Sequence, residues 1–330
     1  MIILGIDTSC DDTSVAVTDG TRVLANIVSS QVPLHRLFGG VVPEIASRKH
    51  VELIDAIYGQ ALSEAGLVLK DVDVLAVTAG PGLIGSLLVG LCFMKGLALS
   101  TGKRLVGVNH VEAHAMGIFV ERDVEFPFLA LIVSGGHTVL LHFPEPCKFR
   151  VLGSTRDDAA GEAFDKIAKF LSLGYPGGSV IEELSRAGDP AAVFFPRPMA
   201  NEANYDFSFS GLKTAFINHV KKYGITNCNR CDLLSSFQEA AFDVLSLKTL
   251  RAAREAGVKR VVVGGGVAAN SRLREMLKER FEPEGIYVLF PSVGLCTDNG
   301  AMVAVTAYFH ARRGLFSALD TRAFSRMVLR

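Results

Sequence analysis

Ile2-Ile3-Leu4-Gly5-Ile6-Asp7-Thr8-Ser9-Cys10-Asp11-Asp12-Thr13-Ser14-Val15-Ala16-Val17-Thr18 reads as two apolar strands around a short polar turn. Such runs on either side of a tight turn are the pattern of a β-hairpin. The pattern recurs: Leu129–Val133 leads into Ser134-Gly135-Gly136-His137 and a second strand, Thr138–Phe143. Either hairpin alone is ordinary. Two equivalent ones, facing each other across a cleft, would hold a phosphorylated ligand from both sides through backbone N–H groups and hydroxyls.

A third segment, Val261-Val262-Val263-Gly264-Gly265-Gly266-Val267-Ala268-Ala269-Asn270, is a buried strand running into three glycines and then a helix. Glycines let a flat ligand or a phosphate approach the backbone at a helix N-terminus. The spacing is not the G-x-G-x-x-G of dinucleotide-binding turns. Further strand-like runs lie at Val72–Val77 and Leu105–Val108. Helical periods lie at Glu44–Ala65, Leu83–Leu99, Val111–Val120, Ala159–Leu171, Leu233–Ala256 and Asn270–Arg280. Alternation of this kind predicts an α/β architecture with a mainly parallel core sheet. A length of 330 residues exceeds what one core usually serves, so two domains are expected.

Lys plus Arg number 34 and Asp plus Glu number 34, so the net charge is zero. An overall basic nucleic-acid binder and an acidic disordered chain are excluded; a local basic patch is not. Hydrophobic residues at 49% suffice for a large core. Cys10, Cys92, Cys147, Cys228, Cys231 and Cys296 have no regular spacing, so a reduced, cytoplasmic chain is expected. The N-terminus has no positive n-region and reaches Asp7 too early for a signal peptide. The uncharged stretch Val74–Met94 is split by Gly80-Pro81-Gly82 and closed by Lys95, which argues against a membrane span.

His110 and His114 are four apart, which on a helix puts both imidazoles on one face, within reach of one metal ion; capping or core histidines fit the same spacing. A zinc protease would carry its glutamate directly after the first histidine. Glu112 instead lies about 200° round the helix from His110, so proteolysis is disfavoured. Asp298, in Thr297-Asp298-Asn299-Gly300, is either a third ligand or the N-cap of a C-terminal helix. Asp7, Asp11 and Asp12 could bind metal, orient a nucleophile or hold the turn by Asx bonds. Asp165 lies on the apolar side of its helix, aimed at ligand hydroxyls or at the core. Tyr175-Pro176-Gly177-Gly178 reads as a turn, after which Ser179 starts the helix bearing Glu182. Cys228-Asn229-Arg230-Cys231 is a lone C-x-x-C, read as inert or an opportunistic metal site. Arg36, Arg48, Lys49, His50, Arg197, Lys213, Lys221 and Lys222 could face RNA, with a solvated surface as the default.

Taken in order, Gly5–Thr13, Pro43-Glu44-Ile45-Ala46-Ser47-Arg48-Lys49-His50, Ala79-Gly80-Pro81-Gly82-Leu83, Asn109–His114, Ser134–Thr138 and Gly264–Asn270 are a series of blocks. Together they resemble the TsaD family, the tRNA N6-adenosine threonylcarbamoyltransferases formerly called O-sialoglycoprotein endopeptidases (Gcp). The resemblance spans essentially the whole chain, and Ser154–Asp165 is similar to the bacterial branch. It implies an α/β, actin-like and sugar-kinase-like (ASKHA) fold of two duplicated ribonuclease-H-like lobes around a nucleotide cleft. The N-terminal lobe would take residues 1–108 plus roughly 300–330, and the C-terminal lobe 109–299. The implied reaction moves the threonylcarbamoyl group from L-threonylcarbamoyladenylate to N6 of adenosine 37 in ANN-decoding tRNAs, forming t6A and releasing AMP.

By the same resemblance, His110, His114 and Asp298 would ligate one divalent metal, Fe2+ ahead of Zn2+. Val133, Ser134, Gly135, Gly136, His137, Asp165, Gly178 and Asn270 would hold the adenylate, with Glu182 standing where many relatives carry aspartate. Ile132 replaces a tyrosine ligand of archaeal relatives, which implies open metal positions for substrate oxygens. Asp11, at the hairpin tip, is the candidate for orienting or deprotonating the incoming amine. Implied partners are TsaB as a heterodimer, the ATPase TsaE, tRNA, and a TsaC-type synthase supplying the threonylcarbamoyl-AMP, with no membrane. The helix Leu83–Leu99, with Gly85, Ser86, Gly90 and Gly96, is either the TsaB face or buried in its own lobe. A small-molecule kinase of the same fold needs no paired histidines, and intact His110, His114 and Asp298 count against a non-catalytic scaffold.

Overall fold

The computed structural model describes residues 1–226 and 229–326. The chain divides into two compact units, Met1–Glu125 with Glu145–Lys148 and Val293–Arg330, and Phe126–Pro144 with Phe149–Ser292.

The first unit is built on a five-stranded sheet in the order β3-β2-β1-β4-β5. Its strands are β1 (Ile2–Asp7), β2 (Asp12–Asp19), β3 (Arg22–Ser30), β4 (Val74–Gly80) and β5 (Arg104–Asn109). β1 pairs antiparallel with β2 and parallel with β4, and β4 pairs parallel with β5. Strands covered on both faces need apolar residues at every position rather than alternate ones, and β4 is buried throughout. Successive side chains serve opposite cores. Leu4, Ile6, Leu75 and Val77 meet the helices Pro43–Glu64 and Ile84–Thr101 through Ile54, Ile57, Leu91 and Met94. Ile3, Val74, Ala76, Val106 and Val108 meet Ala113 and the helix Gly300–Arg312 through Met302, Val303 and Ala304.

That second contact is unusually close. A Cβ on Gly5 would stand 2.7 Å from both Ala304 N and Gly300 O, and one on Gly300 would stand 2.5 Å from Ala16 N. Two glycines therefore let helix backbone lie on strand backbone. The helix Ile84–Thr101 is long and apolar enough, by length and composition, to cross a membrane. Here its buried stripe Leu87, Leu91, Met94 and Ala98 belongs to the unit's own core.

The second unit repeats the plan. Its sheet, in the order β10-β9-β6-β7-β8, is formed by β6 (Phe128–Val133), β7 (Thr138–Glu145), β8 (Lys148–Ser154), β9 (Arg260–Gly264) and β10 (Tyr287–Leu289). β6 pairs antiparallel with β7 and parallel with β9, and β9 pairs parallel with β10. Strand order and pairing match those of β1 to β5, so the hairpin echo in the sequence is the visible part of a duplicated domain. Residues 109–125 and 293–299, assigned on sequence to the second lobe, pack with the first unit. Their short helix follows directly from β5, and its Ala113 shares a core with the helix Gly300–Arg312.

Candidate functional site

β5 ends at Asn109, whose side chain accepts hydrogen bonds from Val111 N at 2.9 Å and Glu112 N at 3.2 Å. This N-cap starts a helix, His110–Met116, with no intervening loop. His110 and His114 are both buried on it, their ring centroids 4.6 Å apart. Asp298 is not the cap of the C-terminal helix. Asn299 takes that role, accepting from Met302 N at 2.9 Å. The Asp298 carboxylate is thereby turned onto the histidines, with Oδ1 3.2 Å from His114 Nε2 and 3.5 Å from His110 Nε2.

One ligand atom from each of the three residues lies within 4.8 Å of the others. Donors bonded at about 2.1 Å to one tetrahedral ion stand about 3.4 Å apart, so Asp298 already sits at ligand spacing from both histidines. Among the described residues neither ring nitrogen of His114 has a hydrogen-bond partner of good geometry, although both are buried and Nε2 faces the Asp298 carboxylate. Two imidazoles and a carboxylate suit a divalent metal such as Zn2+ or Fe2+ and leave positions open. The residues fit such an ion.

Asp7, fully buried at the end of β1, places Oδ2 3.2 Å from His110 Nδ1. A carboxylate there orients the imidazole and leaves Nε2 directed to the metal position. Burial alone would lower the His110 imidazole, but the Asp298 and Asp7 carboxylates outweigh it and raise it to about 9. Ser9 N donates to Asp7 Oδ1 at 2.8 Å, and Ser9 Oγ reaches Asp298 Oδ2 at 3.5 Å.

The turn carrying Asp11 is held from beneath by His50. Thr13 Oγ1 lies 2.7 Å from its Nδ1, and its Nε2 lies 3.0 Å from the Cys10 carbonyl. Nε2 therefore donates to that carbonyl while Nδ1 accepts from the Thr13 hydroxyl, a neutral tautomer inferred from its partners. Burial lowers the His50 imidazole, in keeping with that form. Burial raises the Asp11 carboxyl against a bond from Cys10, and the charge of Asp298 adds to the rise. Asp12 is pushed up to about 7, again chiefly by burial.

A different set assembles in the second unit, at the C-terminal ends of β6 and β9. The Ser134–His137 turn is closed by Ser134 N donating to His137 O at 2.8 Å and His137 N donating to Ser134 Oγ at 3.1 Å. Gly135 and Gly136 are exposed, with open space where a Cβ would stand. Gly265, at φ +92°, lies so close to Val133 that a Cβ would fall 2.4 Å from its carbonyl oxygen. Asn270 caps the helix Ser271–Phe281 and donates from Nδ2 to Gln238 Oε1 at 2.9 Å. Asp165 accepts from Gly177 N at 2.7 Å, and the helix begins at Gly177 rather than at Ser179. Space is open beside Gly178. Glu182 Oε1 accepts from Ser271 N at 2.9 Å and Ser271 Oγ at 2.7 Å, so it is already engaged.

The metal-ligand candidates and Asp11 thus belong to the first unit, and the adenylate-binding candidates to the second. Ser9, Asn109 and Asn299 had no assigned roles on sequence, Asp7 had been read only with the acidic turn and His50 only with a basic surface; Asn beside each ligand was the available signal for the two caps. Several other expectations change. Gly90 faces inward, where a Cβ would meet Thr8 Oγ1 at 2.5 Å, so it does not present a surface to a partner. Arg48, Lys49, Arg197 and Lys213 pair with Glu44, Glu52, Asp243 and Asp158, and His50 is buried. His50 is thus no part of a surface, and the other four cations each stand beside a carboxylate, as on the solvated face that was the default reading. Cys228 lies outside the described residues, and Cys231 is a free thiol.

The family model for TsaD, tRNA N6-adenosine threonylcarbamoyltransferase, matches residues 22–305. The tRNA N6-adenosine threonylcarbamoyltransferase of Syntrophotalea carbinolica is 50% identical over 332 residues, covering 100% of this chain and 97% of that one. The crystal structure of T. kodakarensis HypF is 15% identical, with a TM-score of 0.66 over 95% of this chain and 48% of that one. The ROK hexokinase of Thermus thermophilus is 18% identical, with a TM-score of 0.55 over 94% of this chain and 100% of that one. At such identities the two structures speak for the fold alone, which is the actin-like, sugar-kinase-like α/β fold. From its full-length relatives and its family match, the chain belongs to the TsaD family of tRNA N6-adenosine threonylcarbamoyltransferases.

Proposed function

We propose that this chain transfers the threonylcarbamoyl group from L-threonylcarbamoyladenylate to N6 of adenosine 37 in ANN-decoding tRNAs, forming t6A and releasing AMP. The observation that carries the activity is 50% identity, over the full length, to a tRNA N6-adenosine threonylcarbamoyltransferase.

N6 attacks the carbamoyl carbon. A C–N bond forms, the C–O bond to the adenylate phosphate breaks, AMP departs, and N6 gives up one proton. The N6 lone pair is delocalised into the purine, so removing that proton matters to the rate. Asp11 is our candidate acceptor: its burial raises its carboxyl, toward the range where a carboxylate is an effective base at neutral pH. His110, His114 and Asp298 would hold a divalent metal, Fe2+ in our reading and Zn2+ as the alternative. When bound, it supplies Lewis acidity toward carbamoyl or phosphate oxygens. Asp7 would hold His110 in its ligating orientation. In the second unit, Val133, Ser134, Gly135, Gly136, His137, Asp165, Gly178 and Asn270 would hold the adenylate. The exposed backbone of Gly135 and Gly136 suits a phosphate. Glu182 would take part only on releasing Ser271. We assign TsaB, TsaE and a TsaC-type synthase as working partners, in the cytoplasm.

The test is a transfer assay with TsaB, TsaE, ATP, pre-formed threonylcarbamoyladenylate and unmodified ANN-decoding tRNA, read by mass spectrometry of digested tRNA. Modified adenosine that disappears with His110→Ala/His114→Ala supports both the reaction and the metal ligands. Product that survives the double substitution demotes the histidines to structure. No product from the parent, despite donor binding, moves the assignment to a scaffold.

A further inference from the structure

We infer that Glu112 and His310 are a positioning pair that sets the spacing of the metal ligands, an inference resting on the metal reading of His110, His114 and Asp298. Glu112 stands between the two histidines in sequence but on the opposite side of their helix, and only 3% of it is exposed. A buried carboxylate is costly without a partner. Its partner is His310, whose Nε2 lies 2.9 Å from Glu112 Oε1, 198 residues away in sequence. His310 sits near the end of the helix Gly300–Arg312, which starts two residues after Asp298. One hydrogen bond therefore ties the helix carrying two candidate ligands to the helix that follows the third.

The pair acts as a lever. At its other end the short helix runs into Gly117, where a Cβ would stand 3.3 Å from Met302 Cβ. The two segments thus lie antiparallel, in contact near Gly117 and Met302 and joined again at Glu112 and His310. The caps Asn109 and Asn299 hold each helix at its ligand end. Two polar side-chain contacts oppose rotation of the short helix about its own axis, His110 with Asp7 on the ligand side and Glu112 with His310 on the far side. Its other side chains, Val111, Ala113, Ala115 and Met116, are apolar and offer no directional bond. Rotation would swing His110 and His114 away from Asp298. Glu112, about 200° from His110, is the tether on the far side that opposes it.

The experiment measures Zn2+ affinity of the full chain by competition with a chromophoric chelator, alongside the melting temperature of the metal-free protein. Glu112→Ala and His310→Ala should each weaken Zn2+ binding roughly ten-fold, the scale of outer-shell effects at metal sites. Because they break one bond, the double variant should be no weaker than either alone. Glu112→Gln keeps an acceptor for His310 and should recover most of the affinity. Should Glu112→Ala fail to fold, His310→Ala reads the same bond from a more accessible position. Lower melting temperatures with Zn2+ affinity within about two-fold of the parent would make the pair merely structural and overturn the inference. A parent that binds Zn2+ no better than His110→Ala/His114→Ala would overturn the metal reading as well.

Discussion

Asp12 shows how a single carboxylate can weigh on the stability of this chain. It opens β2 beside the acidic turn, and its Oδ1 is buried with no hydrogen-bond partner among the described residues. Burial, reinforced by the charges of Asp298, Asp11 and Asp7, moves its carboxyl from the ordinary 3.8 to about 7, against a bond from Ser30. Between those values the folded chain holds a proton that the unfolded chain has released. The contribution of Asp12 to stability therefore falls as pH rises through that window. Asp12→Asn should raise the melting temperature of metal-free protein at about pH 8 and leave it nearly unchanged at about pH 4. Calorimetry showing equal shifts at both would contradict this origin. Asp7→Asn removes the charge facing His110 Nδ1 at 3.2 Å and should weaken Zn2+ binding roughly ten-fold, read by chelator competition. At this scale the sequence was only half legible. The four-residue spacing of His110 and His114 announced a shared face, whereas Asp298 looked like a helix cap until Asn299 was seen to be one. Asp7 could not be paired with His110 at all, because that meeting depends on strand order.

Between elements, glycine decides how closely a helix can approach a sheet. Gly5→Ala would drive a methyl into Ala304 N and Gly300 O at 2.7 Å. Backbone cannot give way as a side chain can, so a loss of roughly 3 kcal/mol or more is expected, at the upper end of overpacking costs. Gly96, on the helix Ile84–Thr101, has nothing within 4 Å of the position a methyl would take. Gly96→Ala should accordingly stabilise by roughly 0.5–1 kcal/mol through helix propensity. Urea denaturation of the two variants should move in opposite directions; a shared direction would refute the packing argument. The buried strands β1, β4, β6 and β9 were legible because double burial writes continuous apolar runs. β3 was missed because most of its residues are only partly buried, and its composition follows suit. The helix Ser210–Tyr223 was also missed, although Leu212, Phe216 and Val220 stand four apart.

For the molecule as a whole, length and the repeated hairpin already pointed to two domains, and the matching sheet orders make the duplication plain. A first lobe drawn from both ends of the chain was expected, but its limits lie elsewhere, because the helix after β5 and the segment carrying Asp298 pack with the first unit. Metal removal should be tolerated: apolar cores on both faces of the first sheet hold the fold without an ion. Chelator-treated protein should keep its far-ultraviolet circular dichroism and lose t6A formation, whereas unfolding on chelation would show the metal to be structural. The same discontinuity governs the order of events during synthesis. β1, β4 and β5 leave the ribosome early, but the helix that covers Ile3, Val74 and Val108 is made only after the whole second unit. At about 5–20 residues per second, that face of the sheet waits many seconds for the helix that completes its cover. The later unit, complete in sequence by Ser292, has its whole chain available first. The domain that begins first is the last to close, and Asp298 arrives with the segment that closes it.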